Sequence, residues 1–458
     1  MTVSHPSPLR ALPARASLAV EALKFSNWLS RSLGRGSGTV AGGRVGLALD
    51  PALLDILSQG RRVALVSGTN GKTTTTRMLV AALSEEGGAS IASNDSGANM
   101  PAGHVAAIVE SLGAATAVLE VDEGYLGRVI EETRPRVVVL LNLSRDQLDR
   151  ISEVRMLVDR WRIAMDGLRS LSSRSGRSTV VVANADDPMV TWAASAAPEV
   201  RWVGAGLAWH NDAVGCPACG GRIIFEEGGA WACDRCDFAR PVCDAWLEGS
   251  VLVTADGSRH SVAIGLPGQF NRANAAMVAI AAPYMMEDGG HHGAPGSRLA
   301  LSAVLDRVAT VDQVAGRFAS TMRNGHPVRL LLAKNPAGWA AIFDLLDETR
   351  PGNTPVVVSI NARIADGLDT SWLWDVPFER LAGRPVVATG DRRLDVGVRL
   401  RYAEVAHTLV VDPLAAVDRA METSPSTMTG LADPASEARG GIDFLGNYTA
   451  FADLRRRV

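Results

Sequence analysis

The sequence predicts an α/β protein in which a large parallel sheet is followed, later in the chain, by a second and smaller α/β domain. Short β-branched runs such as RVALVS (62–67) and TAVLEV (116–121) alternate with helical stretches. These runs are apolar throughout, which is typical of parallel strands that helices cover on both faces. A glycine-rich segment joins the first run to a helix, and α/β proteins bind phosphates at that point.

The composition is that of an ordinary folded protein long enough for two or three domains. Of its 458 residues, 47% are hydrophobic and 21% are charged, and the formal net charge is −3. This near-neutral balance gives no reason to expect nucleic acid as a partner. The sequence has no apolar run of the roughly 18 residues that a membrane span needs, and no compact apolar leader followed by a cleavage site. We therefore expect a cytoplasmic protein without a transmembrane segment.

The first 60 residues predict a helical lead-in, SLAVEALKFSNWLSRSL (17–33), that ends in a glycine-rich break, GRGSGTVAGGRVG (34–46). A central domain is expected from residue 61 to residue 314. Its predicted strands are RVALVS, TAVLEV, RVVVLLNL (136–143) and STVVVANADD (178–187). Its predicted helices include GRVIEETR (127–134) and MLVDRWRIAMDGLRSL (156–171).

Between about residues 205 and 250 the chain becomes rich in cysteine, glycine and aromatic residues, which indicates an insertion in the central domain. A long apolar helix (271–286) and a polar loop, EDGGHHGAPGS (287–297), follow it. Residues 315–458 then predict the smaller α/β domain. Its strands are VRLLLAK (328–334), TPVVVSI (354–360), RPVVATG (384–390) and HTLVVD (407–412).

The glycine-rich segment is a shortened phosphate loop, made of Gly68, Thr69, Asn70, Gly71, Lys72, Thr73 and Thr74. Its glycines allow backbone N–H groups to turn toward an anion, and the following helix presents its positive end. The Lys72 ammonium can reach the outer phosphates and the Thr73 hydroxyl can join a Mg²⁺ shell, so the loop predicts ATP and Mg²⁺ as ligands. The alternative is a glycine-rich turn that carries a solvated lysine.

Four of the five cysteines form two C-x2-C pairs, Cys216 with Cys219 and Cys233 with Cys236. Four thiolates can complete a tetrahedral Zn²⁺ shell and leave no position for a substrate, which predicts a structural zinc ribbon. A redox site is the alternative, although two matched pairs exceed what such a site uses. We expect the fifth cysteine, Cys243, to be a buried or partly buried free thiol.

Several motifs in chain order carry a family resemblance. The loop SGTNGKTTTTRML, LEVDEG (119–124), LNLSRDQLDR (141–150), NADDP (184–188), GQFNRANAA (268–276) and AGRF (315–318) together resemble the Mur ligase family. Those ligases phosphorylate a carboxylate with ATP and let an amine attack the acyl phosphate. Only about sixty residues precede the loop, too few for the domain that grips a UDP-sugar. DQLDR also lacks a histidine that binds metal in many members of the family.

The C-terminal segments LLAKNPAGWAAIF (331–343), ADGLDTSWLWD (365–375) and NYTAF (447–451) are similar to the MurT branch of that family. The resemblance implies a Mur-ligase-like central ATPase domain with a four-cysteine zinc-ribbon insertion and a Rossmann-like C-terminal domain. It also implies ATP-dependent amidation of the D-glutamate α-carboxylate of lipid II to D-isoglutamine. Ammonia would come from a GatD-like glutaminase, because none of the five cysteines suits a glutaminase nucleophile. A peripheral place at the inner membrane face is left open. The basic end LRRRV can lie near a pyrophosphate or a membrane surface, although a solvated tail is the favoured interpretation of it.

The resemblance also assigns roles to residues. Lys72 and Thr73 bind phosphate and Mg²⁺, and Glu120, at the end of a strand, lies near the metal and the γ-phosphate. The residues implied to contact the nucleotide are Asn271, Asn274 and Arg317. Asp369 is implied to complete the partner's glutaminase site by orienting a histidine.

Less specific interpretations remain beside these. Asp122 and Glu123 can cap a helix that starts at Gly124, and the two asparagines can cap the helix in which they occur. Asp366 and Asp375 can cap their loop and the helix after it. A stand-alone amino-acid ligase of the folylpolyglutamate type is the alternative function, and a non-catalytic scaffold that presents a zinc ribbon is a further one.

Overall fold

The computed structural model describes residues 12–32, 39–84, 90–94, 97–145, 154–176, 178–286, 300–311, 318–423 and 441–458. The chain forms two compact units. The first consists of Met1–Leu143, Glu153–Gly265 and Phe270–Val311, and the second of Ser144–Ser152, Leu266–Gln269 and Asp312–Val458. The domain boundaries expected from the sequence stay a prediction.

The first unit contains the large sheet. The strands of this unit are β1 (Arg62–Ser67), β2 (Ile91–Ser93), β3 (Thr116–Val121), β4 (Val137–Leu140), β5 (Val180–Asn184), β6 (Val200–Gly204), β7 (Ile223–Phe225), β8 (Trp231–Cys233), β9 (Ala245–Glu248), β10 (Val251–Thr254) and β11 (Arg259–Ser261). Strands β7 and β8 form the separate hairpin of the cysteine ribbon, and the others form the large sheet. Within the described residues the sheet order is β11-β10-β9-β6-β5-β4-β1-β3-β2. The strands from β2 to β9 pair in parallel, as predicted, whereas β10 and β11 form an antiparallel edge that was not predicted.

Helices cover this sheet because its central strands are apolar on both faces. They are α1 (Ala14–Ser32), α2 (Thr39–Leu49), α3 (Leu53–Ser58), α4 (Lys72–Leu83), α5 (Pro101–Glu110), α6 (Leu126–Thr133), α7 (Val154–Ser175), α8 (Pro188–Ala194), α9 (Gln269–Met286) and α10 (Leu301–Ala309). In β1, every residue from Val63 to Ser67 is buried. The phosphate loop therefore leaves the sheet from one of its most enclosed strands.

The prediction of a glycine-rich break after α1 is wrong for the described part of that segment. Residues 39–49 form helix α2, although glycine is a poor helix former. The glycines are required by packing. A Cβ on Gly42 would lie 2.0 Å from Oδ1 of Asn27 in α1, and a Cβ on Gly43 would lie 1.9 Å from the carbonyl oxygen of Ala102 in α5. Helices α1, α2 and α5 can approach one another this closely only because these positions are glycine, and this packing offsets the weak helix propensity of glycine.

The second unit has its own parallel sheet with one antiparallel edge strand, β12. Its strands are β12 (Phe318–Arg323), β13 (His326–Leu332), β14 (Val356–Ser359), β15 (Val386–Thr389), β16 (His407–Leu409) and β17 (Ile442–Gly446), in the order β12-β13-β17-β14-β15-β16. Its helices are α11 (Pro336–Thr349), α12 (Arg393–Tyr402), α13 (Pro413–Glu422) and α14 (Tyr448–Arg455). The four strands predicted here are confirmed.

Sequence reasoning missed β17, which lies in the middle of this sheet. Its run IDFLG carries a carboxylate, Asp443, that interrupts the apolar pattern. In the fold Asp443 is fully buried and pairs with Arg329 on the adjacent strand β13, with Nε and Oδ1 2.6 Å apart. Arg350 lies 3.3 Å from its other oxygen. Burial of this charge is acceptable only because the two arginines converge on it.

Candidate functional site

The phosphate loop has the backbone that its glycines predict. Gly68 and Gly71 adopt φ angles of +149° and +89°, which side chains rarely tolerate. A Cβ on Gly68 would lie 2.8 Å from Cβ of Leu141, and one on Gly71 would lie 2.8 Å from Oδ1 of Asn274. Helix α4 begins at Lys72 without a side-chain cap, so its first amides are directed at the loop.

Asn142, at the end of the neighbouring strand β4, holds the loop in place. Its Oδ1 accepts from the N–H of Asn70 at 2.9 Å, and its carbonyl accepts from the N–H of Thr69 at 2.9 Å. Its Nδ2 donates to the carbonyl of Asn70 at 3.0 Å. Sequence reasoning gave Asn142 no role of its own. Its position directly after a buried strand next to β1 is the signal that could have found it.

Lys72 is buried, so the alternative of a solvated lysine is wrong. Only 3% of the residue is exposed. Its Nζ donates to the carbonyl of Gly68 at 2.5 Å and to Oε1 of Glu123 at 3.2 Å, with a longer contact of 3.4 Å to the carbonyl of Thr69. A buried ammonium needs such partners, because an unpaired charge in the interior is very costly.

Glu123 is therefore a partner of Lys72, and its interpretation as a helix cap is wrong. Helix α6 begins at Leu126, and the Nε1–H of Trp161 donates to the carbonyl of Glu123 at 2.9 Å. Asp122 does serve the local turn, since its Oδ1 accepts from the N–H of Gly124. Sequence reasoning missed this contact between Glu123 and Lys72.

Glu120 is the last residue but one of β3, the strand that pairs with β1. Only 2% of it is exposed, and its Oε2 is buried without a hydrogen-bond partner. Its backbone is held on both sides: Asn94 bonds to its N–H and its carbonyl, each at 2.8 Å, and Nε2 of His104 lies 2.8 Å from the same carbonyl. Burial lowers the pKa of His104 to about 4, so the neutral ring donates there.

The unpaired Oε2 of Glu120 is suited to binding Mg²⁺, because a buried acceptor is ordinarily satisfied by a hydrogen-bond donor or a cation and Mg²⁺ prefers oxygen ligands. Thr73, in the first turn of α4, is also buried and supplies a hydroxyl of the type that joins such a shell. The donor set predicted for Mg²⁺ is thus chemically suitable. The metal role of both residues stays a prediction.

Asn274 lies against the phosphate loop, with both its amide atoms within 3.2 Å of where a Cβ on Gly71 would be. Asn271 is one turn earlier on α9 and is equally buried. Because α9 begins at Gln269, neither is an N-cap, and the capping interpretation is wrong. Arg317, the segment Asp146–Arg150 and the polar loop 287–297 lie outside the described residues.

The NADDP motif connects the strand ends along this edge of the sheet. Asp187 caps α8 by accepting from the N–H groups of Met189 and Val190, and its Oδ2 accepts from the N–H of Leu143 at 2.8 Å. Burial raises the pKa of Asp187 to about 6, against the opposing effect of these three amides. The motif thus ties β5 and α8 to the residue that follows Asn142.

The four clustered cysteines converge on one point. Their sulfurs all lie within 4.8 Å of one another, with 3.8 Å between Cys216 and Cys236 and 3.5 Å between Cys219 and Cys233. Tetrahedral Zn²⁺ with Zn–S bonds of about 2.3 Å places its sulfurs about 3.8 Å apart. The set therefore fits Zn²⁺. The fifth cysteine, Cys243, is buried, as expected, and burial raises the pKa of its thiol to about 11.

The hairpin of β7 and β8 that carries these cysteines is anchored to the NADDP motif. The Nε1–H of Trp231 donates to the carbonyl of Ala185 at 3.0 Å. Arg240 pairs with Asp186, with Nε and Oδ1 2.5 Å apart. The hairpin of β7 and β8 therefore supports the end of β5, at the same edge of the sheet from which the phosphate loop leaves.

In the second unit, the loop after β14 carries three carboxylates with different surroundings. Asp366 is buried and accepts from the N–H and hydroxyl of Thr449, so it caps α14. Asp375 lies 3.3 Å from Arg145. Asp369 is exposed and pairs with no cation among the described residues, and the Ser371 N–H that donates to it lowers the pKa of its carboxyl. It is thus the carboxylate of the three that is available to a partner molecule.

Replacing Cys233 by Ser should remove the bound zinc and destabilise the ribbon, because three thiolates hold Zn²⁺ far more weakly than four. We expect one zinc per chain in the parent protein and a large loss in the variant, measured by elemental analysis after gel filtration. Cys243→Ser is the matched control and should keep its zinc. Full zinc occupancy in Cys233→Ser would contradict the assignment.

Asp187→Asn should change how stability depends on pH. Because the pKa of Asp187 is higher in the fold than the ordinary 3.8, its stabilising contribution is complete below about pH 4 and is lost as pH rises through about 6. A pKa shift of about two units corresponds to about 3 kcal/mol. We therefore expect the difference in the free energy of unfolding between parent and variant to fall by about this amount as the pH rises through this range.

The measurement is urea unfolding of the parent and Asp187→Asn between pH 4 and pH 7.5. The control is Asp256→Asn, since the pKa of exposed Asp256 is lowered to about 2 and its carboxyl stays ionised throughout. For each variant we compare the free energy of unfolding with that of the parent at every pH. If this difference is as independent of pH for Asp187→Asn as it is for the control, Asp187 does not titrate in this range.

Family models and solved structures of known proteins match this chain. The family model of the Mur ligase middle domain matches residues 66–282, and that of the MurT ligase C-terminal region matches residues 332–451. The solved structure of a pseudomurein peptide ligase type C from Methanothermus fervidus aligns with a TM-score of 0.58 at 19% identity, over 86% of this chain and 78% of that one. Mycobacterium tuberculosis folylpolyglutamate synthase aligns with a TM-score of 0.57 at 17% identity, over 96% and 94%. These likenesses show a Mur-ligase-like fold.

Two curated relatives are more informative. Both are named lipid II isoglutaminyl synthase (glutamine-hydrolyzing) subunit MurT. The one from Streptococcus pneumoniae is 30% identical over 414 residues, 84% of this chain and 87% of the relative. The one from Staphylococcus aureus (strain COL) is 29% identical over 417 residues, 86% and 89%. The chain therefore belongs to the MurT family, a branch of the ATP-dependent Mur ligases.

Proposed function

We propose that this protein is the synthetase subunit that amidates the α-carboxylate of D-glutamate in the lipid II stem peptide, giving D-isoglutamine. The observation that carries the proposal is the pair of buried ionisable groups, Lys72 and Glu120, at the carboxyl ends of two adjacent strands beside a phosphate-type loop. The names of the curated MurT relatives supply the substrate and the reaction. We place the protein in the cytoplasm, as its sequence led us to expect.

The reaction would proceed in two transfers. The substrate carboxylate attacks the γ-phosphorus of ATP, so that a C–O–P bond forms and ADP leaves. Ammonia then attacks the acyl carbon, and inorganic phosphate leaves as the amide forms. The loop amides and Lys72 stabilise the phosphoryl charge, which is the main contribution a protein makes to this kind of transfer. Thr73 and Glu120 would hold Mg²⁺, which when bound offsets charge on the phosphates.

Glu123 would orient Lys72 for this role. The ammonium has three protons, and its two shortest contacts are to the carbonyl of Gly68 at 2.5 Å and to Glu123 at 3.2 Å. The third contact, 3.4 Å to the carbonyl of Thr69, is the weakest and points to the proton that a phosphate oxygen would take. Glu123 thus holds the lysine in place and leaves one donor for ATP.

Ammonia would come from a separate GatD-like glutaminase. A glutaminase nucleophile is a thiolate beside a base, and the sequence has five cysteines. Four of them converge on the metal site, and the pKa of Cys243 is raised to about 11, which keeps its thiol protonated. The chain therefore offers no nucleophile suited to the hydrolysis of glutamine.

Asp369 would complete the partner's glutaminase site. It is exposed, its carboxyl has a lowered pKa, and a Ser371 amide fixes its orientation. A carboxylate in this state can orient an imidazole and stabilise its charged form. The alternative function, a stand-alone amino-acid ligase, has no need of such a residue.

Lys72→Met should lower ATP-dependent amidation by at least about 100-fold, because the ammonium stabilises charge that develops on the transferring phosphoryl group. The measurement is product formation with saturating ammonium and ATP. Since the single variant leaves Glu123 buried without its counter-ion, the double variant Lys72→Met with Glu123→Gln is measured beside it.

The double variant keeps the volume of the pair without either charge, and its thermal unfolding should resemble that of the parent. Arg169→Met, at an exposed arginine on α7, is the control and should retain full turnover. Near-parental turnover in a folded double variant would refute the proposed ATP site.

Asp369→Asn should abolish glutamine-dependent amidation, measured in the presence of the glutaminase partner, and leave ammonium-dependent amidation intact. The reason is that the proposed role of Asp369 concerns generation of ammonia and not its transfer. Asp375→Asn, in the same loop, is the matched control and should keep activity with both nitrogen sources.

Failure of ammonium to restore Asp369→Asn would place this residue in the synthetase step instead. Glutamine-dependent product from the chain alone would refute the two-subunit proposal. Product that contains an added amino acid in place of an amide would favour the stand-alone ligase.

A further inference from the structure

Helices α1 and α2 present an apolar surface to solvent. We call it the N-terminal apolar surface, and its members are Leu18, Phe25, Trp28 and Leu29 of α1 with Val40, Val45 and Leu49 of α2. Phe25 and Trp28 are each 61% exposed, and their ring centroids lie 5.8 Å apart. Single exposed apolar residues are common, but two exposed aromatic rings in contact, on a helix that carries further exposed apolar residues, indicate a contact surface.

This surface is not the side of α1 that faces the core. Ala16, Ala19, Val20 and Leu23 are buried in the core of the first unit. A helix on the surface of a protein ordinarily places polar residues opposite such a buried stripe. In α1 the opposite side carries Phe25 and its apolar neighbours, so α1 is apolar on two sides and only one of them is covered.

Basic residues border the surface. The described helices α1 and α2 carry Arg15, Lys24, Arg31 and Arg44 against a single acidic residue, Glu21. Lys24 pairs with Glu21 and Arg31 pairs with Glu110 of α5, whereas Arg44 is exposed. The two helices therefore have a net charge of +3, whereas the whole chain has −3. An excess of arginine and lysine around exposed aromatic and aliphatic side chains is the pattern of helices that lie in a membrane interface.

We propose that the N-terminal apolar surface binds the surface of an anionic phospholipid bilayer. The proposal rests on the proposed function, since a lipid-linked substrate has to be reached at a membrane. No described helix is both long and apolar enough to cross a bilayer, which leaves a peripheral contact. Phe25, Trp28 and their aliphatic neighbours would enter the interface, while Lys24 and Arg44 would face the anionic headgroups.

The basic C-terminus is less suited to this role than the N-terminal surface. Two of its three arginines pair within the second unit, Arg456 with Asp453 at 2.5 Å and Arg457 with Asp412 at 2.7 Å, as Lys24 and Arg31 also do in the first unit. The pair of exposed aromatic rings on α1 is the feature that favours the N-terminal apolar surface over the sequence LRRRV.

The test is co-sedimentation of the full chain with phosphatidylglycerol vesicles and with phosphatidylcholine vesicles, at low and at high salt. We expect binding to phosphatidylglycerol that salt weakens, and at least tenfold weaker binding for the double variant Phe25→Ser with Trp28→Ser. Arg44→Glu should weaken binding to phosphatidylglycerol alone. Ile163→Ser, at a residue of α7 that is 74% exposed, is the matched control and should bind like the parent.

A soluble muropeptide without the lipid separates this inference from the proposed function. The double variant should amidate it at the parental rate, and only amidation of vesicle-bound substrate should fall. Three outcomes would overturn the inference: no vesicle binding by the parent, equal binding by the double variant, or a dimer in light scattering that the two substitutions dissociate. The last outcome would identify the surface as an interface between two copies of the chain.

Discussion

The buried ammonium of Lys72 is the interaction on which the rest of the candidate site depends. A charge in the interior persists only where acceptors meet it, and here they are a loop carbonyl and the Glu123 carboxylate. Each acceptor is itself held from outside the loop. Trp161 donates to the backbone of Glu123, and Asn142 fixes the loop on its other side. The site is thus a set of mutually dependent contacts around one charge.

Parallel pairing explains why these groups meet. Strands that run in one direction end at one edge of the sheet, and the register of β1 with β3 and β4 brings the loop, Glu120 and Asn142 to that edge. Asp187 extends the same edge to β5, and Asp186 joins it to Arg240 of the ribbon. The cysteine ribbon, although it lies outside the phosphate loop, can therefore support the geometry of the site through its contacts with Ala185 and Asp186.

The loop after β14 shows that neighbouring residues of one type can have different roles. Asp366 accepts a hydrogen bond from the first turn of α14, and Asp375 lies beside an arginine. Asp369, in contrast, is exposed and is oriented by a backbone amide. Their chemistry is identical in isolation. The distinction arises from what the fold places within hydrogen-bond distance of each, which makes Asp369 the carboxylate to test first.

Features that depend on local pattern could be predicted from the amino-acid sequence alone. The phosphate loop, the cysteine pairs and the buried strands are of this kind, because glycine torsions, ligand spacing and strand periodicity are local properties. Contacts between distant segments were decided by the tertiary fold. They made Glu123 the partner of Lys72 and assigned Asn142 and His104 to the site. They also turned a glycine-rich break into α2 and placed Asp443 in a central strand, since close helix packing and paired arginines outweigh local propensity there.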